Sequence, residues 1–276
     1  HKTAPLELRE KLALPEGRAA RLMADLTESG DASEATVVST CNRTEIYVLA
    51  ADPVVAESSI LSALASRAGI QPTELVGHLY SLRGPDATRH AFRVTAGLDS
   101  MIVGESEIQG QIKRAHELAL VEGVSGPILN RLFRGALAAG GRARNETGIS
   151  RTGVSMASVA VERATRAIGD VAKRRALIIG AGETSELVAG ALRARGAESV
   201  FVANRHLEKA CDLAQRFGGT AAPLTELSEQ VAEADLVVSA TMSPHHLIDR
   251  ELLEPIMAGR GGRPVFLVDL AVPRDI

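Results

Sequence analysis

Between Ala176 and Asp269 the chain alternates short apolar runs with helical stretches, and few folds accommodate that rhythm. Ala176-Leu-Ile-Ile179 is continuously apolar, as a strand buried on both faces must be. A helix predicted over Glu183–Arg195 follows. Then come a strand at Ser199–Ala203, a helix at Leu207–Phe217, and strands at Asp235–Ala240 and Val265–Asp269. Strands separated by helices pair in parallel and are covered on both faces. The expected class is therefore α/β, with a Rossmann-type doubly wound parallel sheet in the second half of the chain.

The turn after the first of these strands reads Gly180-Ala181-Gly182-Glu183-Thr184-Ser185. In a dinucleotide-binding turn the first glycine permits the tight bend and the second lets the backbone approach a pyrophosphate. The free N–H groups of the next helix then meet the phosphate charge. Ser185 stands where a third glycine is usual, so the strict G-x-G-x-x-G is not met. The position of the turn, after an apolar strand and before a helix, supplies the specificity that a lone G-x-G lacks. The second strand runs out into Asn204-Arg205 instead of an acidic residue. That pairing removes the carboxylate that would hold ribose hydroxyls and adds a guanidinium suited to a 2′-phosphate, which favours NADPH over NADH. A solvated loop arginine is the other reading of Arg205.

The first half mixes elements. Helices are predicted over Pro15–Ser29, Val54–Arg67, Pro85–Ala96 and Ile128–Arg144, with two strands at Ala35–Thr40 and Thr44–Leu49. Ser106 and Gln109 have the spacing of a capping box at the start of another helix, and Ser155–Lys173 reads as a connecting helix. The 276 residues suffice for two domains. The net charge of −3 argues against a protein that coats nucleic acid. Arg131, Arg134, Arg142, Arg144 and Arg151 still form a local basic stretch, either a solvated helix face or an RNA contact. Two cysteines in the whole chain suit a reducing, cytoplasmic setting. No apolar run is long enough for a membrane span, no signal peptide is present, and both ends look cut.

Cys41 lies in Ser39-Thr40-Cys41-Asn42-Arg43-Thr44-Glu45-Ile46-Tyr47, between the two strands. A cysteine is commonly a small buried hydrophobe. A polar turn with an adjacent arginine would instead favour a thiolate nucleophile. Cys211, in an Ala-Cys-Asp-Leu-Ala helix, is expected to be core. His90 flanks the face formed by Ala87, Ala91 and Val94, so it too reads as packed or functional.

The cysteine segment closely resembles the signature of the glutamyl-tRNA reductases, and the likeness runs along the chain. His1-Lys-Thr-Ala-Pro5 and Arg89–Ser100 followed by Gly104-Glu105 are similar to that family's N-terminal and central motifs. Gly180–Ser185, Ala203-Asn-Arg205, Ser243-Pro-His245 and Asp269–Pro273 are similar to motifs of its cofactor domain. The resemblance implies a catalytic, glutamyl-tRNA-recognising domain over 1–150 and an NADPH-binding domain over 151–276 that includes the connecting helix. It also implies a C-terminal helical dimerisation domain beyond this chain.

The implied reaction is NADPH-dependent reduction of glutamyl-tRNA to glutamate-1-semialdehyde, with release of tRNA, as the first step of tetrapyrrole synthesis from glutamate. In it Cys41 forms a glutamyl thioester and His90 positions or polarises the scissile carbonyl. The substrate pocket implied by motif position comprises Thr40, Asn42, Arg43, Ser100, Glu105, Ser106, Glu107 and Gln111. Arg43 is assigned to the α-carboxylate and Glu105 to the α-ammonium. The usual Gly-Glu-Pro-Gln-Ile is here Gly104-Glu-Ser-Glu-Ile108, which makes Ser106 and Glu107 the least secure members. No metal site is assigned. A homodimer and a semialdehyde aminotransferase that takes over the product are the implied partners. Competing readings are another cysteine-dependent reductase acting on an acyl phosphate or acyl-CoA, a shikimate-dehydrogenase-like enzyme, and a non-catalytic NADPH-binding regulator. The first lacks a second glycine-rich phosphate loop, and the second leaves the cysteine segment without a role.

Overall fold

A computed structural model describes residues 2–149, 155–203, 206–243 and 245–276. Asn204 and Arg205 lie outside the described residues, as does Arg151. The chain divides into two compact units, His1–Val154 and Ser155–Ile276.

The first unit contains α1 (Leu6–Lys11), α2 (Glu16–Glu28), β1 (Glu34–Ser39), β2 (Thr44–Leu49), α3 (Pro53–Ala68), α4 (Pro72–Leu75), α5 (Gly84–Thr95), α6 (Glu107–Val121) and α7 (Pro127–Glu146). β1 and β2 form an antiparallel hairpin in register Ser39↔Thr44 to Glu34↔Leu49. Side chains alternate across a strand, and β2 uses both faces. Ile46 and Val48 pack into a core with Leu12, Leu22, Met23, Val37 and Leu64. Tyr47 joins Val38, Ala91, Val94, Ile112 and Phe133 on the other side. α3 is started by Asp52, whose carboxylate accepts from Val54 and Val55 N–H, and stopped by Gly69 in the left-handed region.

The second unit runs α8 (Met156–Ile168), β3 (Arg175–Ile179), α9 (Glu183–Arg193), β4 (Glu198–Ala203), α10 (Leu207–Phe217), β5 (Thr220–Pro223), α11 (Leu227–Glu233), β6 (Leu236–Ser239), α12 (Arg250–Gly259) and β7 (Phe266–Asp269). Its five strands are parallel in the order β5-β4-β3-β6-β7. β3 shows why the sheet is doubly wound. Ala176 and Ile178 face α8, α9 and α10 through Val161, Val188, Leu192 and Leu213. Leu177 and Ile179 face Leu227, Val231 and Ile248 on the opposite side. The strand order reverses direction between β3 and β6, where ligands bind at the C-terminal ends of such sheets. The sequence pattern passed over β5, α11 and α12. No helix among the described residues is long and apolar enough to cross a membrane.

Two expectations are corrected. Ser106 makes no side-chain cap and has helical dihedrals. The reason is competition: Gln109 donates to the Leu137 carbonyl at 3.0 Å and accepts from Arg144 at 2.8 Å, so α7 takes the side chain the box needed. Cys211 is exposed rather than core, because α10 buries Ala210, Leu213 and Ala214 and the next position along turns outward.

Candidate active site

Cys41 sits at the tip of the β1–β2 hairpin. Thr40 N–H donates to the Arg43 carbonyl at 2.8 Å. The Thr40 hydroxyl oxygen accepts from Asn42 and Arg43 N–H, each at 3.2 Å. A threonine at this position therefore satisfies donors that a tight turn leaves over. Arg9 of α1 braces the tip from outside the hairpin. Its Nη1 donates to the Cys41 carbonyl at 3.0 Å and to Asn42 Oδ1 at 3.2 Å.

Burial pushes the half-buried Cys41 thiol up to about 11, and the carboxylates of Glu105 and Glu107 push it the same way, while Arg9 opposes them. The thiol is thus protonated near neutrality, and the thiolate must be drawn out. The help expected from adjacent Arg43 does not arrive, because that guanidinium is already occupied. Its Nη1 donates to Glu45 Oε1 at 2.5 Å and its Nη2 to the Asp99 carbonyl. Burial disfavours its charge, but the charge and hydrogen bond of Glu45 raise its pKa all the same. Arg43 therefore reaches a substrate carboxylate only by sharing or exchanging these partners.

Glu45 is the hub of this half of the site. Its carboxylate accepts from Arg43 Nη1, from Tyr47 at 2.5 Å and from Tyr80 at 2.7 Å, and His90 Nε2 lies 2.9 Å from Oε1. Burial acts to raise its pKa, yet His90 and Arg43, joined by the Tyr47 hydroxyl, outweigh burial and hold it at about 2. Lys2 and Arg43 both pair with Asp99. A cavity of about 640 Å³ runs the length of β2, with Arg9, Asn42, Arg43, Glu45, Tyr80 and His90 among its polar lining. Cys41 is not among its lining residues.

The segment between α5 and α6 carries Ser100, Glu105 and Ser106, and α6 itself carries Glu107 and Gln111. Gly104, at φ +86°, has no room for a side chain, since a Cβ would stand 2.2 Å from the Ile149 carbonyl oxygen. Arg144 ties this segment to α7 by donating to the carbonyls of Gly104 (3.2 Å) and Thr95 (3.4 Å). Within it Ser100 is buried, and its hydroxyl has no hydrogen-bond partner among the described residues. Glu105 and Glu107 act on Cys41 electrostatically. Ser106 is exposed, and Gln111 is half-buried farther along α6. Arg9, Glu45, Tyr80 and Asp99 escaped the sequence reading. Glu45 had one signal, a carboxylate inside an otherwise apolar strand, whereas Arg9 had none.

In the second unit β3 delivers the chain to Gly180 at φ +111°, where a Cβ would stand 2.7 Å from the Ala240 carbonyl oxygen. Around Gly182 nothing lies within 4 Å of an added Cβ. Among the described residues no side chain caps the start of α9, which follows Ala181 and Gly182 and opens with Glu183 and Thr184. Ser185 is fully buried, its hydroxyl unpartnered, where the helix packs on the strand. This cradle fits a pyrophosphate. Asp269 ties the next loop to β7 by accepting from Ala271 (2.8 Å), Asp275 (3.0 Å) and Ile276 (3.1 Å) N–H. Thr241, after β6, donates to Asp275 at 2.5 Å.

Residues 1–147 match the family described as glutamyl-tRNAGlu reductase, N-terminal domain, and residues 162–276 match shikimate / quinate 5-dehydrogenase. The glutamyl-tRNA reductase of Deinococcus radiodurans is 44% identical over 276 residues, covering 99% of this chain and 75% of the relative. That of Magnetococcus marinus is 41% identical, covering 100% of this chain and 66% of the relative. The solved glutamyl-tRNA reductase from Methanopyrus kandleri is 36% identical, with a TM-score of 0.50 over 100% of this chain and 65% of its own. The chain thus spans between about two thirds and three quarters of these relatives.

Proposed function

The chain belongs to the glutamyl-tRNA reductase family, and on that premise we propose that it reduces glutamate esterified to its tRNA to glutamate-1-semialdehyde, using NADPH. The observation that carries the reading is the hairpin tip, which presents Cys41 between a threonine that closes the turn and an arginine that braces it.

The Cys41 thiol gives up its proton and attacks the ester carbonyl as thiolate; the Sγ–C bond forms, the C–O bond to the tRNA breaks, and the proton lost by the thiol ends on the released ribose oxygen. A carboxylate only accepts hydrogen bonds, so the 2.9 Å contact with Glu45 puts a proton on His90 Nε2. In the neutral ring Nδ1 is then the atom left to accept a proton, and after protonation to donate one. Thr40, Asn42, Ser100, Glu105, Glu107 and Gln111 are proposed to enclose the glutamyl group. The α-carboxyl is the group esterified to the tRNA and is not a free anion, so the assignment of Arg43 is corrected: it exchanges part of its pairing with Glu45 and Asp99 for the side-chain carboxylate.

A dinucleotide fits the Gly180–Ser185 cradle, with Gly182 admitting the pyrophosphate and the start of α9 meeting its charge. When bound it supplies the hydride that reduces the thioester to the aldehyde. Cys41 leaves as thiolate, a better leaving group than an alkoxide, which is the gain from changing ester to thioester. Asn204-Arg205 supports NADPH as the dinucleotide. A homodimer, transfer of the aldehyde to an aminotransferase, and a cytoplasmic setting belong to the same reading and rest on the family. To test it, the full-length protein is incubated with glutamyl-tRNA, with and without NADPH. Aldehyde that requires both NADPH and Cys41 supports the reading. Aldehyde from Cys41→Ser, or none from the native sequence, overturns it.

A further inference from the structure

Two arginines are candidates to act on the nucleophile, Arg43 by its place in the sequence and Arg9 by its contacts with the hairpin tip, and the structure separates their roles. Arg43 is neutralised: Glu45 and Asp99 both pair with it, and its side chain is only 6% exposed. Arg9 has no carboxylate partner among the described residues. Its Nη1 is spent on the Cys41 carbonyl and the Asn42 side chain. Its Nε is buried with no hydrogen-bond acceptor. A buried donor left unpaired costs stability, and among the described residues the groups Arg9 holds in return are those of the hairpin tip.

We propose that Arg9, and not the adjacent Arg43, is the positioning residue of the nucleophile: it pins the Cys41–Asn42 turn and sets beside the thiol a positive charge that no carboxylate among the described residues pairs with. The inference rests on Cys41 being the nucleophile of the proposed reaction. Among the described residues the charges that act on the thiol come from three places, Arg9 on α1, Glu105 ahead of α6 and Glu107 at its start. Two are anions and oppose ionisation; Arg9 is the one cation among them. A guanidinium keeps its charge at any working pH, and here the one nitrogen Nη1 donates to both acceptors, so its contribution persists wherever the thiol must ionise. Placement on α1 also explains why no motif centred on the cysteine exposes the residue.

The test is the rate at which iodoacetamide alkylates Cys41, followed by intact mass from neutral pH upward to beyond about 11, so that the midpoint is bracketed. Every protein carries Cys211→Ser, which removes the exposed second thiol. Arg9→Gln and Arg9→Lys are compared with the parent. Each unit of rise in thiol pKa cuts the thiolate tenfold but makes it about threefold more nucleophilic, so the net loss is about threefold per unit below the midpoint. Arg9→Gln is expected to slow alkylation about threefold or more and to move the midpoint of the pH–rate curve upward. Arg9→Lys, which keeps the charge and loses the double contact, should fall between. Where Arg9→Gln fails to melt cooperatively, Arg9→Met replaces it. Unchanged rates and midpoint in a folded, charge-free variant overturn the proposal. The assay needs neither tRNA nor NADPH, so its failure is distinct from failure of the substrate reading. Normal aldehyde formation with unaltered alkylation in Arg9→Gln would remove Arg9 and leave that reading standing.

Discussion

His90 Nε2 lies 2.9 Å from Glu45 Oε1, and the same oxygen accepts from Tyr80 and Arg43. A strand residue thereby sets the tautomer and the orientation of an imidazole on α5. Orientation of a histidine by a carboxylate behind it is a general means of keeping one ring nitrogen available for chemistry.

Glu45→Gln is expected to destabilise the protein by about 3 kcal/mol, since it leaves a buried guanidinium short of its partner. The acid limb should also change. A carboxyl held at about 2, against an ordinary 4.5, stabilises the fold fully above pH 4.5 and loses that contribution as pH falls toward 2. Thermal melts over this window should show a shallower decline in Glu45→Gln than in the parent. Parallel declines would mean that the network does not depend on ionised Glu45.

Gly180 and Gly182 should respond in opposite ways. Gly180→Ala forces a side chain at φ +111° against the Ala240 carbonyl, and should cost about 2 kcal/mol of stability. Gly182→Ser meets open space and offers α9 the N-cap hydroxyl it lacks, so Tm should hold or rise slightly. Its cost should appear in dinucleotide affinity, measured by fluorescence titration. A Gly182→Ser protein that binds NADPH normally would show that the pyrophosphate does not approach this turn.

Acyl transfer and hydride delivery should separate by residue. Cys41→Ser should fold normally and lose both tRNA release and aldehyde formation, because a serine hydroxyl is barely ionised. Cys211→Ser should retain both. Gly182→Val, or omission of NADPH, should stop the aldehyde yet leave Cys41-dependent release of tRNA, followed with radiolabelled glutamate. Equal loss of release in Gly182→Val and Cys41→Ser, with normal melting, would contradict this division.

Arg205→Ala should weaken NADPH binding by about 1.5–3 kcal/mol, the scale of a charged hydrogen bond, and leave NADH binding little changed. Equal weakening of both would assign Arg205 to the fold instead of the 2′-phosphate.

The doubly wound sheet was legible because its strands are buried on both faces and read as unbroken apolar runs, as in Ala176–Ile179. β5 was missed since Thr220-Ala-Ala-Pro223 has neither an apolar run nor alternation. Cys41 and the Gly180 turn were legible because their chemistry is local in sequence. Arg9 and Asp99 were not, for their contacts to the hairpin span 32 and 56 residues of chain. The Ser106 box failed for a related reason: local spacing is blind to a distant arginine that claims the same glutamine.

Along β2 parity divides the labour. Thr44 reaches Leu12, and Ile46 and Val48 pack on the same side. Arg43, Glu45 and Tyr47 converge on the network that holds His90. Adding or removing one residue between Ser39 and Leu49 would therefore do more than displace the site. It would turn the charged face into the apolar core and the core outward. Length within this hairpin should tolerate no change, even where individual residues can be exchanged.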